Sequence, residues 1–324
     1  MERLLLAFAV SFVLTVVIGH FVLAELRKLK AGQEIRADGP TWHKSKAGTP
    51  TMGGVMFILA TGITVLVLGW NEMLEGVFTH LYIFLFALVF GLIGFLDDYR
   101  KVRQHQNEGL SAKQKFILQL LAAVLFLSLM RYEGLMTNEL YVPFFHVTFT
   151  LNWVVYLIFA AFVIVGCVNA VNLTDGVDGL AASVTFVVMV FFAVTGFLWR
   201  TSGHALFPSA MAGGLAAFFL FYNHHPAKVF MGDTGSLFLG GAVAALGFTF
   251  GTPLILIPVG IIYIVETLSD IIQVTYFKVT HGKRFFKMAP LHHHLELSGW
   301  SEAKLVAVFS GITAVCCVLG YFGM

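Results

Sequence analysis

Residues 81–103 read LYIFLFALVFGLIGFLDDYRKVR. No charge interrupts the stretch from Leu81 to Leu96, which then closes on two adjacent carboxylates, Asp97 and Asp98, and on Arg100, Lys101 and Arg103. An apolar run of this kind that meets acids and bases at one end reads as a spanning helix reaching a membrane surface. The pattern recurs along the chain. Apolar segments at about 4–26, 52–70, 81–97, 114–130, 151–171, 179–199, 205–222, 235–251, 254–277 and 304–323 predict an all-α polytopic membrane protein with ten transmembrane helices, a single membrane domain over 1–324. Composition agrees, since 58% of the 324 residues are hydrophobic and only 12% are charged, against roughly 25% charged in a soluble domain. A Rossmann enzyme, a β-barrel and a secreted module are excluded. Cys167, Cys316 and Cys317 lie inside apolar stretches without metal-type spacing, so neither a disulfide framework nor a zinc site is expected.

The first segment starts from Glu2 and Arg3 and ends in Leu26-Arg27-Lys28 with no small-residue cleavage site, so it reads as a retained helix rather than a signal. Of the 20 Lys and Arg, 17 fall in the loops after the first, third, seventh and ninth segments. Only Arg3, Arg131 and Arg200 lie opposite. The positive-inside rule makes the basic loops cytoplasmic and both termini periplasmic. Asp97, Asp98, Asp175, Asp178 and Asp233 all fall at the cytoplasmic ends, where they would repel one another unless cations or basic side chains sit among them. The cytoplasmic loops therefore read as the walls of one site.

Four stretches carry the chemistry. Asp97-Asp98 closes the third segment; neighbouring helical residues point about 100° apart, so one carboxylate can face a metal while the other takes a different task. Acids at a helix C-terminus oppose its dipole, which argues against a merely solvated end. The second stretch, Asn169-Ala170-Val171-Asn172-Leu173-Thr174-Asp175-Gly176-Val177-Asp178-Gly179, joins two helices with almost no loop. Its Asn and Asp pairs at i, i+3 share faces if the chain is helical there, and the free N–H groups of the following helix favour a phosphate. In Asn223-His224-His225-Pro226-Ala227-Lys228-Val229-Phe230-Met231-Gly232-Asp233-Thr234-Gly235-Ser236, Asp233 serves either as a helix cap or as an oxygen ligand for Mg²⁺. Pro290-Leu291-His292-His293-His294-Leu295-Glu296 sets three imidazoles in a row; they cannot all turn to one ion, so phosphate or sugar contacts suit them better. Lys46 and Thr51, in the loop before the second segment, and Lys113 sit at membrane entry points, where basic residues act either as topology anchors or as phosphate partners. Glu266 and Asp270, i, i+4 inside the ninth segment, are intramembrane acids, which usually face a cavity or pathway.

In this order the motifs resemble the polyprenyl-phosphate N-acetylhexosamine-1-phosphate transferases, from the Lys46 loop to the His294 loop, and the triple histidine after Pro290-Leu291 resembles their muramoyl-pentapeptide branch. The resemblance implies transfer of phospho-MurNAc-pentapeptide from UDP-MurNAc-pentapeptide to undecaprenyl phosphate, giving lipid I and UMP, at the cytoplasmic face of the bacterial inner membrane. It implies Mg²⁺ as cofactor, a homodimer in membrane lipid, inhibition by nucleoside antibiotics, and no nucleic-acid partner. It assigns uracil recognition to Asn223, Phe230, Asp178 and the Gly176-Val177 backbone, with Lys46 nearby. Thr51, Asn169, Asn172, Asp175, His293 and His294 are the further expected substrate contacts, and Asp97, Asp98, Asp233, Lys113 and His292 the expected catalytic groups.

Asp233 is the expected principal Mg²⁺ ligand, with Asp97 or Asp98 completing the site, because diphosphate oxygens and several aspartates cannot share one pocket without a cation. Whether Asp97 or Asp98 accepts the lipid phosphate's residual proton, or forms an acyl-phosphate in a two-step route, stays open at this level. Two rivals are a sister transferase using UDP-GlcNAc and a secondary transporter. The transporter expects polar groups near the midplane and repeated halves, whereas here they collect at one face.

Overall fold

A computed structural model describes residues 1–29, 46, 48–104, 106, 108–199 and 201–324. Lys30, Arg36, Lys44 and Arg200, counted above for orientation, lie outside them. The helices are α1 (Glu2–Lys28), α2 (Gly54–Leu68), α3 (Trp70–Leu74), α4 (Thr79–Gln104), α5 (Ala112–Tyr132), α6 (Trp153–Thr174), α7 (Leu180–Leu198), α8 (Ser202–Phe218), α9 (Gly232–Thr249), α10 (Leu256–Val259), α11 (Ile261–Val279), α12 (Leu291–Glu296) and α13 (Glu302–Gly323). Strands β1 (Glu139–Val142) and β2 (Val147–Thr150) pair antiparallel, with Glu139 opposite Thr150, and form the one departure from an all-α fold among the described residues. The alternating β-branched and aromatic residues there favour a hairpin.

Every expected segment falls on a helix. Among the described residues seven helices are long and apolar enough to cross a membrane, and eight if the pair Pro253–Val259 and Ile261–Val279, bent by 79°, counts as one span. The two remaining segments are α2, which has 15 residues, and α9. In α9 every residue from Thr234 to Phe248 is buried. Gly and Ala make up eight of its 18 residues, which weakens its apolar signature while letting neighbouring backbones come close. Gly94 of α4 shows the consequence: a Cβ there would overlap the Asp233 carbonyl of α9.

Both termini lie at the end of the bundle away from the carboxylates. Arg3 pairs with Glu72 of α3, and the Phe144 N–H in the hairpin turn donates to the Gly323 carbonyl at 2.9 Å. One expectation changes. Asp97 and Asp98 do not close their helix, because α4 continues to Gln104. Lys101, i, i+4 from Asp97, lies over the preceding turn at 2.6 Å and stabilises the extension.

Candidate active site

The contact at Gly94 sets the first turn of α9 beside Asp97 and Asp98, both buried. Asp98 Oδ1 accepts the Asp233 N–H at 3.2 Å, and Oδ2 accepts the Thr234 N–H at 2.8 Å and the Thr234 hydroxyl at 2.7 Å. Asp98 thus caps α9 from another helix, a task that α9's own side chains do not perform. Asp97 points elsewhere. Its Oδ1 accepts the Leu110 N–H at 2.7 Å and lies 3.1 Å from Lys115 Nζ, while Oδ2 lies 2.6 Å from Lys101 Nζ. Asp233 Oδ1 accepts from Asn172 Nδ2 at 2.9 Å, and its Oδ2 lies 3.1 Å from Lys101 Nζ and 2.5 Å from Lys115 Nζ. Asn172 also donates to Ser236 Oγ at 2.7 Å.

One oxygen from each of the three carboxylates falls within 4.8 Å of the others. Carboxylates this close demand a cation, and an all-oxygen donor set suits a hard divalent ion. Lys101 and Lys115 both bridge Asp97 and Asp233, and Lys101 also lies 4.0 Å from Asp98 Oδ1, so two ammonium groups offset part of the charge of the three acids.

A second cluster stands at the other side of the α6–α7 connection. Lys46 Nζ lies 2.7 Å from Asp178 Oδ1 and 2.8 Å from Glu302 Oε2. Glu302, in the first turn of α13, also accepts the Asp178 N–H at 3.0 Å. His225 Nδ1 lies 3.1 Å from Asp178 Oδ2 and 3.2 Å from Glu302 Oε1. Asn223, presented by the π-turn Phe219–Asn223 that ends α8, donates to the Val229 carbonyl at 3.1 Å, while its buried Oδ1 has no partner among the described residues. Phe230 is half-buried, and its backbone is stitched to the Lys46 loop: its N–H donates to the Pro50 carbonyl and its carbonyl accepts from Gly53, both at 2.8 Å. The buried Thr51 packs against Gly232 beside Asp98.

The loop 175–179 lies between the clusters. Burial, reinforced by the carboxylates of Asp233, Asp98 and Asp178, pushes the Asp175 carboxyl up to about 8. Val177 is buried, and Gly176 faces His292: a Cβ on that glycine would collide with His292 Nε2. The three histidines diverge. His292 Nδ1 lies 2.9 Å from Glu266 Oε2, His293 Nδ1 lies 2.8 Å from Glu296 Oε2, and His294 Nδ1 accepts the Lys287 N–H at 3.1 Å.

Asp97, Asp98, Asp233 and Asn172 are therefore brought together, as are Lys46, Asp178, Asn223 and Phe230 around the Asp175–Val177 loop. Asn169 turns away, donating to Gln119 Oε1 of α5 at 2.7 Å and to the Val165 carbonyl at 2.8 Å. Lys113 is exposed at the first turn of α5, with no ion pair among the described residues, whereas Lys115 one step further enters the carboxylate cluster. Sequence reasoning missed Lys101, Lys115, His225 and Glu302. The spacing of Asp97 and Lys101 was a usable signal; Glu302 reads only as a first-turn acid behind the Ser301 cap.

The pattern described as "Glycosyl transferase family 4" matches residues 80–251, and that described as "Phospho-N-acetylmuramoyl-pentapeptide-transferase signature 1" matches residues 46–58. Among curated relatives, the phospho-N-acetylmuramoyl-pentapeptide-transferase of Clostridium acetobutylicum is 46% identical over 317 residues, covering 97% of each chain. Those of Clostridium novyi and of a Thermoanaerobacter species are 46% and 47% identical, each across 100% of this chain and covering 98% and 99% of the relative.

Proposed function

The chain belongs to the phospho-N-acetylmuramoyl-pentapeptide transferases, and on that premise we propose that it moves phospho-MurNAc-pentapeptide from UDP-MurNAc-pentapeptide onto undecaprenyl phosphate in peptidoglycan synthesis, releasing UMP. It is a multi-pass bacterial membrane protein, and the two clusters divide the work. Asn223, Phe230, Asp178, Lys46 and the Gly176-Val177 backbone receive the uridine, the flat base stacking on Phe230. Asn172 and the ammonium groups of Lys101 and Lys115 meet the diphosphate, with Lys113 reaching in from the rim. Thr51, Asp175, His293 and His294 line the surrounding walls, while Asn169, held on Gln119 of α5, stays outside them.

Asp97, Asp98 and Asp233 fit a hard cation by donor type and spacing. Mg²⁺ held by Asp233 and Asp97 would neutralise the diphosphate and the departing UMP. Asp98, already engaged by three donors of α9, keeps the Asp233 turn in place. Phosphoryl transfer rests mostly on positioning and charge neutralisation. A phosphate monoester has a second pKa near 6, so the lipid phosphate is largely a dianion at neutral pH and attacks the β-phosphorus with little help. Asp97, which faces the lysines, is the carboxylate that takes any residual proton. The carboxylate–lysine cluster of Asp97, Asp233, Lys101 and Lys115 is the single observation that carries this chemistry.

By this reading the site faces the cytoplasm of the inner membrane, the termini face the periplasm, and the enzyme works as a homodimer open to nucleoside antibiotics. Glu266, an intramembrane acid of the kind a transporter would use, is tied to His292 beside the same loops, which supports the enzyme instead. The test is UMP release from purified protein given undecaprenyl phosphate, Mg²⁺ and either UDP-MurNAc-pentapeptide or UDP-GlcNAc. Release with the first alone is expected; release with the second alone would favour the sister transferase, and release with neither would refute the reading.

A further inference from the structure

Glu266 lies five residues into α11, in an apolar segment, and its side chain is fully buried. A carboxylate there is costly unless donors satisfy it. Among the described residues its donors all come from one. The His292 backbone N–H reaches Oε1 at 3.2 Å and Oε2 at 3.4 Å, and the His292 ring Nδ1 reaches Oε2 at 2.9 Å. A carboxylate accepts, so the ring must carry its proton on Nδ1 to make this bond. The other ring nitrogen, Nε2, is buried with no partner among the described residues and lies against Gly176, in the loop between the two polar clusters.

We propose that Glu266 is a positioning residue for His292: it grips the backbone and the Nδ1–H together, so that Nε2 is the ring atom left to meet a phosphate or sugar group of the substrate. A neighbouring carboxylate that fixes tautomer and ring orientation is a recurring arrangement behind working histidines. The unpartnered, buried Nε2 is what distinguishes this pair from a satisfied structural one. Filling both ring nitrogens would only lock the fold, whereas here one is held back beside Asp175 and Val177. Gly176 belongs to the device, since any side chain there would push the ring out. The proposal rests on the transferase reading given above for what His292 meets, but the tether itself does not.

The experiment has two arms. In ¹⁵N-histidine-labelled protein in detergent, the His292 signal is identified by its absence in His292→Gln. A protonated Nδ1 is expected, and a bare Nδ1 with protonated Nε2 would overturn the tether whether or not the protein proves to be a transferase. In the second arm, kcat for UMP release is measured for Glu266→Gln, His292→Ala and the double variant. Glu266→Gln should lower kcat at least tenfold with a smaller change in KM, and the double variant should be no slower than His292→Ala alone. Near-wild-type kcat for a folded Glu266→Gln, or independent multiplying losses in the double variant, would overturn it. A wild-type protein that releases no UMP refutes the functional reading instead, and leaves the tautomer arm to decide.

Discussion

Asp98→Ala and Asp97→Asn should part company, although the two acids are adjacent. Asp98 satisfies two backbone N–H groups and one hydroxyl at the start of α9. Removing the carboxylate leaves those two N–H groups buried and unpaired, at about 1–3 kcal/mol each. The hydroxyl can rotate to another acceptor and adds little. The expected destabilisation is then about 2–6 kcal/mol, equivalent to a fall in Tm on the order of 10 °C. Asp97 accepts a single backbone N–H, from Leu110, and the asparagine amide oxygen can still take it. Asp97→Asn should therefore keep its Tm within about 2 °C of wild type, by the same conversion, while UMP release collapses because the charge facing Lys101 and Lys115 is gone. Thermal unfolding in detergent, followed by tryptophan fluorescence and paired with UMP release, separates the two. Equal Tm losses in both variants, or an unchanged Tm in Asp98→Ala, would refute this division of labour.

Phe230→Ala should weaken binding of UDP-sugar and nucleoside inhibitor by about 1–3 kcal/mol, read as Kd by calorimetry; an unchanged Kd would remove Phe230 from the nucleotide site. Lys113→Ala should lose most turnover at unchanged Tm, since Lys113 holds no ion pair among the described residues, and near-wild-type turnover would return it to the role of topology anchor. Asp175, with its carboxyl pushed up to about 8 from an unfolded value near 4, binds more protons folded than unfolded across that interval. Its contribution to stability therefore falls as pH rises from about 4 to 8. Without divalent cation, Asp175→Asn should gain Tm over wild type at pH 8 and much less at pH 5; a pH-independent difference would contradict the cause given.

The membrane bundle was legible because apolar runs are local in sequence, and the loop motifs because Asn, Asp, Gly and His cluster where apolar helices have no use for them. The seam between α4 and α9 was not. Gly94 and the Gly- and Ala-rich α9 act only once the two backbones touch, and no periodicity announces which helices will do so. The same holds for pairings that span long stretches of chain. Lys115 reaches Asp233, Glu302 reaches Lys46, and Glu266 reaches His292 through tertiary packing alone. Lys113 and Lys115 look equivalent in the sequence; the Ser111–Gln114 capping box fixes the start of α5, and the helix then turns one lysine inward and the other to the rim. The continuation of α4 past Asp98 was hidden because an acid pair followed by Tyr99 and Arg100 also reads as a helix end.

On the proposed function, phosphoryl transfer takes place at the cluster of Asp97, Asp233, Lys101 and Lys115, with Asp233 the principal ligand of its cation. Mn²⁺ binding by electron paramagnetic resonance, in the presence of UDP-MurNAc-pentapeptide, tests it most directly in wild type and Asp233→Asn. The asparagine keeps the size and the amide oxygen that Asn172 Nδ2 can still reach, so the bundle should stay folded. One bound ion is expected in wild type and at least a tenfold weaker one, on the order of 1.4 kcal/mol or more, in Asp233→Asn. Equal Mn²⁺ affinity in the two proteins would contradict it.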